Sequence, residues 1–135
     1  MYANILIPVS FEAARNTEGA IKAAKALADK DASFTLLHVV EELPGYYTQY
    51  LPDDAFRINR RRFQEDLGAL AEALPNAKTK IMDGHSGRDI VKWANEDGAD
   101  CIVVASHQPA FSDMLLGSTA QYVVRHAKCA VHVIR

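Results

Sequence analysis

The sequence predicts an α/β fold in which a parallel sheet is covered on both faces by helices. Three observations carry this. Four short apolar runs are near-continuous rather than alternating, as strands buried on both faces require. Segments with helical periodicity separate them, so strand and helix alternate along the chain. No Gly/Ser-rich linker, internal repeat or shift in composition divides the 135 residues, so residues 1–135 read as one domain.

Asn4 to Val9 (NILIPV) is the first strand, with Pro8 near its exit, where no ladder bond is needed. Ala13 to Lys30 is the first helix: Ala20, Ala23, Ala24, Leu27 and Ala28 recur at helical spacing, with lysines on the other face. Ser33 to Val40 (SFTLLHVV) is the second strand. Glu41 to Pro52 is a long loop with Pro-Gly punctuation and the tyrosines Tyr46, Tyr47 and Tyr50. Asp53 to Leu74 is the second helix, opened by Asp53 or Asp54 and stopped by Pro75. Lys78 to Met82 (KTKIM) is more polar and is expected at the sheet edge. Ser86 is expected to cap a third helix, Gly87 to Glu96. Asp100 to Ala105 is the fourth strand, Gly117 to Ala127 the fourth helix, and Ala130 to Ile134 the fifth strand.

Composition narrows the function classes. Hydrophobic residues make up 49% and charged residues 24%, which suits a soluble globular protein. A net charge of -2 argues against general electrostatic binding of nucleic acid or of an anionic membrane. No apolar run approaches the ~18 residues of a membrane span. The chain enters a strand at once, without a basic leader or cleavage site, so a cytoplasmic location is expected. Cys101 and Cys129 lack metal-ligand spacing, so two buried reduced thiols and no metal site are expected.

The most informative stretch is the last third. An apolar strand (Cys101–Ala105) delivers Ser106-His107-Gln108, then Leu116-Gly117-Ser118-Thr119 opens a helix. The free N–H groups and the dipole of a helix start favour an anion there. Gly117 lets backbone approach a phosphate, and Ser118 and Thr119 add hydroxyl donors. The competing reading is a plain helix start with Ser118 as N-cap. His107 and Gln108 can donate to a phosphate oxygen, or serve only as turn residues that cap nearby backbone. In parallel sheets ligands bind beyond the carboxyl ends of the strands, which here means Val9-Ser10, Val39-Val40, Gly84-His85 and Ala105-Ser106. The Gly84-His85-Ser86-Gly87 turn either reaches that ligand or only caps the third helix. Arg57, Arg60, Arg61 and Arg62 form a basic cluster, read as a solvated face balanced by Glu65 and Asp66 or as a partner surface. His38 and His132 are expected to be structural strand residues.

These residues resemble the universal stress protein family over essentially the whole chain. ILIPVS is similar to the family's first strand, LLHVV to its second, and ASHQPAFSDMLLGSTAQYVVRHAKCAVHVIR to its signature. In that signature a Gly-x2-Gly-x9-Gly-Ser/Thr segment wraps a nucleotide's phosphates. The Ser-His-x-Pro form with a shortened turn resembles the enterobacterial F/G-type branch. The resemblance implies a doubly wound, five-stranded parallel sheet in the order 3-2-1-4-5. It implies ATP or another adenine nucleotide as ligand, with magnesium as an optional companion. It also implies a homodimer through the C-terminal strand, or a tetramer of such dimers, and a protein partner. Carried over residue by residue, the nucleotide site comprises Pro8, Val9, Ser10, Val39, Ala105, Ser106, His107, Gln108, Gly117, Ser118 and Thr119. Ala105 and Gln108 stand where the signature has glycine, eight residues rather than nine separate Gln108 from Gly117, and Ser10 stands where nucleotide binders commonly carry Asp.

Three readings of function follow. The first is a nucleotide-binding stress protein acting as a sensor or adaptor. The second is a dimer without nucleotide that acts as an interaction protein. The third is a slow ATP hydrolase, for which His107 is the one candidate base and no orienting carboxylate or Walker-type Gly-Lys-Ser/Thr is present.

Overall fold

A computed structural model describes residues 1–11, 16–41, 55–106 and 116–135. Five strands form one parallel sheet: β1 (Tyr2–Pro8), β2 (Ala28–Glu41), β3 (Ala77–Gly84), β4 (Cys101–Ala105) and β5 (Ala130–Ile134). Their order is β3-β2-β1-β4-β5, as expected. The described helices are α1 (Thr17–Leu27), α2 (Ala55–Ala71), α3 (Ser86–Asp97) and α4 (Ser118–His126).

The apolar strand sequences place side chains alternately on two cores. Ile5, Ile7, Phe34, Leu36, Cys101 and Val103 face α1 and α2, where Ile21, Ala24 and Leu67 meet them. Leu6, Leu37, Ile102 and Val104 face α3 and α4, meeting Ile90, Ala94, Ala120 and Val123. Each strand is therefore apolar on both sides, which is why the runs do not alternate. The reversal of strand order lies between β1 and β4, and the helices that follow them, α1 and α4, pack on opposite faces, which opens a crevice at the strand ends.

Some boundaries differ from the sequence reading. The first helix stops at Leu27 rather than Lys30, and β2 begins at Ala28 rather than Ser33. Ala28 is already extended, and it pairs with Tyr2 before the register shifts to Asn4↔Ser33. The polar run Asp29–Asp31 gives no period-2 signal, and no glycine marks the helix end. The KTKIM strand lies at an edge of the sheet, as expected, and extends to Gly84. The second helix ends at Ala71, three residues before Leu74. Cys101 is buried and Cys129 half-buried, and they belong to the cores on opposite faces of the sheet.

Candidate functional site

The carboxyl ends of β1, β2 and β4 and the first turn of α4 enclose a cavity of about 590 Å³, within the range of small-ligand sites. Of the sequence-predicted residues, Pro8, Val9, Ser10, Val39 and Ala105 line its strand side, and Ser118 and Thr119 line its helix side. These residues are distant in sequence, and the strand order brings them together.

Ser106 and Gly117 sit beside the cavity and not on its described lining. Ser106 is buried at 4% exposure, and its Oγ accepts the N–H of Gly117 at 3.1 Å. Its N–H donates to the Ile134 carbonyl at 2.8 Å. Ser106 therefore fastens the exit of β4 to the start of α4. Gly117, not Ser118, is the N-cap of α4, in extended backbone with no side-chain capping bond. Among the described residues no side chain accepts a bond from the first-turn N–H groups of α4, while Ser118 and Thr119 border the cavity. This is the arrangement that accepts an anion. His107 and Gln108 lie outside the described residues, as do Tyr46, Tyr47 and Tyr50.

The start of α3 is arranged differently. Ser86 was expected to be its cap, but Ser86 is its first helical residue and His85 is the N-cap. The capping acceptor comes from β2: Glu41 Oε1 accepts the Ser86 N–H at 2.9 Å and the Ser86 hydroxyl at 2.6 Å. Glu41 Oε2 lies 3.5 Å from His85 Nδ1. Burial works against ionisation of Glu41, but the two Ser86 bonds and the nearby imidazole outweigh it, so its pKa is lowered. Asp89, on the same helix, accepts the His85 N–H at 2.7 Å. Glu41 and Ser86 line the main cavity, and with Ser118 and Thr119 they also line a contiguous cavity of about 220 Å³.

Sequence reasoning missed the aromatic wall. Phe11 and Phe63 stack with ring centroids 5.1 Å apart, and His38 lies 4.8 Å from Phe11 and 4.5 Å from Phe63. His38 Nδ1 is 2.8 Å from the Val9 carbonyl, which requires Nδ1 to carry the proton and donate. His38 is structural, as expected, and it also borders the cavity. The available signals were the odd polar residue in SFTLLHVV and the helical spacing of Phe63, Leu67 and Leu70. On α2, Arg61 lies 3.6 Å from Glu65, matching the expected balance. Arg60 instead reaches Asp83 of β3 at 3.2 Å. Among the described residues no group of His, Cys, Asp and Glu is placed to hold a metal ion. No described helix is long and apolar enough to cross a membrane.

This fold agrees with that of known proteins. The universal stress protein family model matches residues 1–135. The chain belongs to the universal stress protein family. Universal stress protein G of Salmonella typhimurium is 35% identical to it over 151 aligned positions, covering 100% of both chains. The solved structure of a universal stress protein from Lactobacillus plantarum is similar at a TM-score of 0.70 and 30% identity, covering 99% of this chain and 98% of that one. An Archaeoglobus fulgidus universal stress protein, solved in complex with dAMP, shares the fold at a TM-score of 0.69 and 17% identity, covering 99% of this chain and 98% of that one.

Proposed function

We propose that this universal stress protein binds an adenine nucleotide in the cavity at the carboxyl ends of the strands and acts as a cytoplasmic sensor or adaptor. The observation that carries the reading is the α4 start. Among the described residues no side chain caps its first turn, which borders a cavity large enough for a nucleotide. Phosphate lies against Ser118 and Thr119, where hydroxyls and helix N–H groups converge. The nucleoside lies over Val9, Ser10 and Val39. The dAMP complex of the A. fulgidus relative supports the choice of base and phosphate. Ser10 offers one hydroxyl to the ribose where a carboxylate would grip two, so nucleoside contacts are weaker than in Asp-bearing sites. Among the described lining residues Glu41 is engaged by Ser86 and His38 by the Val9 carbonyl, which supports binding rather than hydrolysis as the role. Ala105 is 6% exposed and borders the cavity, and its methyl group narrows the path beside the phosphates.

The subunits associate through β5. It is an edge of the sheet, with no partner on its outer side within the chain among the described residues. An unpaired apolar edge invites pairing with a second copy.

The test is to heat-denature freshly purified protein, identify any released nucleotide by mass spectrometry, and titrate emptied protein with AMP, ADP and ATP. Released or bound adenine nucleotide is the expected result. An empty protein that binds none of the three at millimolar concentration refutes this reading and favours the interaction-protein alternative.

A further inference from the structure

We propose that the cavity is a nucleoside monophosphate site and that Glu41 is the residue that discriminates against a longer phosphate tail. The proposal rests on the adenine-nucleotide reading and concerns the charge of that same cavity. Three helix starts border it. That of α1, at Thr17, is capped by the Asn16 side chain, which accepts the Gly19 N–H, and that of α3 holds the Glu41 carboxylate through the Ser86 N–H and hydroxyl, whereas among the described residues no side chain caps the start of α4. A phosphate at Ser118 and Thr119 thus shares its cavity with a carboxylate rather than with a second donor cluster.

The described lining offers nothing to offset that charge. It holds one carboxylate, Glu41, and no lysine or arginine. Arg88 borders only the smaller contiguous cavity, and its guanidinium lies 3.5 Å from Asp89. His85, the other cationic candidate there, sits 3.5 Å from Glu41 itself. One phosphate can be satisfied by hydroxyls and helix N–H groups alone. Each further phosphate adds negative charge, and the described lining holds no lysine or arginine to meet it. Glu41 is held ionised by its Ser86 bonds, so the opposition persists at neutral pH.

The effect is set by charge, so its size follows from Coulomb's law. One carboxylate opposing the extra charge of a triphosphate in a partly solvated cavity changes relative affinity on the order of tenfold.

The experiment is isothermal titration of the full chain with AMP and with ATP, in EDTA at fixed ionic strength, for the wild type and for Glu41→Gln. The amide keeps an acceptor for Ser86, and thermal melting of both proteins checks that the fold is kept. The wild type is expected to bind AMP about tenfold more tightly than ATP. Glu41→Gln is expected to close most of that gap by improving ATP. Magnesium, which neutralises part of the triphosphate charge, is expected to narrow it in the wild type as well. ATP binding as tightly as AMP to the wild type overturns the proposal without any variant. An unchanged ratio in folded Glu41→Gln removes Glu41 as the cause. Binding of neither nucleotide refutes the adenine-nucleotide reading itself, and this proposal with it.

Discussion

Replacing Gly84 with alanine puts a methyl group where the start of α3 is held together. Gly84 has φ 155°, outside the range that side-chain-bearing residues readily adopt. A Cβ built there overlaps Asp89 Oδ2. Asp89 cannot move freely, because it is 7% exposed and accepts the His85 N–H at 2.7 Å. Two costs therefore add. The strained backbone costs about 1–3 kcal/mol. Displacing Asp89 leaves a part-buried N–H without its acceptor, about 1–3 kcal/mol more. The sum, about 2–6 kcal/mol, lowers the melting temperature of a chain this size by about 3–4 °C per kcal/mol, roughly 6–24 °C in all. Gly98→Ala is the internal control, since Gly98 also has positive φ, at 71°, but nothing lies within 4 Å of its added Cβ. It costs about 1–2 kcal/mol from backbone conformation alone. Urea and thermal unfolding followed by circular dichroism measure both. A Gly84→Ala protein no less stable than Gly98→Ala refutes the claim that Asp89 is fixed against this turn.

Three further outcomes follow from the same structure. The Cys101 thiol, pushed up to about 11 by burial first and by the neighbouring Cys129 and Asp100 charges second, stays unreactive toward a thiol reagent at pH 8 until the protein unfolds. Cys129, raised in the same direction by burial, reacts sooner, and oxidised protein shows no intramolecular disulfide because the two side chains serve opposite faces of the sheet. Glu41 has a folded pKa below its ordinary 4.5, so its contribution is present above that value and lost as pH falls through the lowered one. The acid limb of the stability–pH curve is therefore shallower in Glu41→Gln, by a small amount because the side chain is 56% exposed. Arg60→Ala, which removes a solvent-exposed pair with Asp83, changes stability by less than about 1 kcal/mol, and the difference fades in high salt.

The parts of the fold written in local pattern were legible. The runs NILIPV, SFTLLHVV, CIVVA and AVHVI each carry apolar side chains for two cores, and each is a strand. The polar KTKIM run sits at an edge for the complementary reason. What stayed hidden depends on partners distant in sequence. Ser86 looks like a cap by residue type, yet its helix is capped by Glu41, 45 positions earlier. Ser118 likewise yields the N-cap position to Gly117, whose N–H is taken by Ser106. The early start of β2 follows from pairing of Ala28 with Tyr2, which the polar run Asp29–Asp31 does not announce. At the site, the strand-end rule located Val9, Ser10, Val39 and Ala105. The aromatic wall of Phe11, His38 and Phe63 needed the packing of α2 across two strands, which no single window of sequence contains.

The most direct test of the account is an amide NMR titration of the emptied full chain with AMP. The account predicts that shifts concentrate at Val9 and Ser10, at Val39 to Glu41, and at Ser118 to Ala120, with the β3 edge near Lys78 and Lys80 unmoved. Shifts confined to the β3 edge or to the arginines of α2, or none at saturating AMP, contradict it.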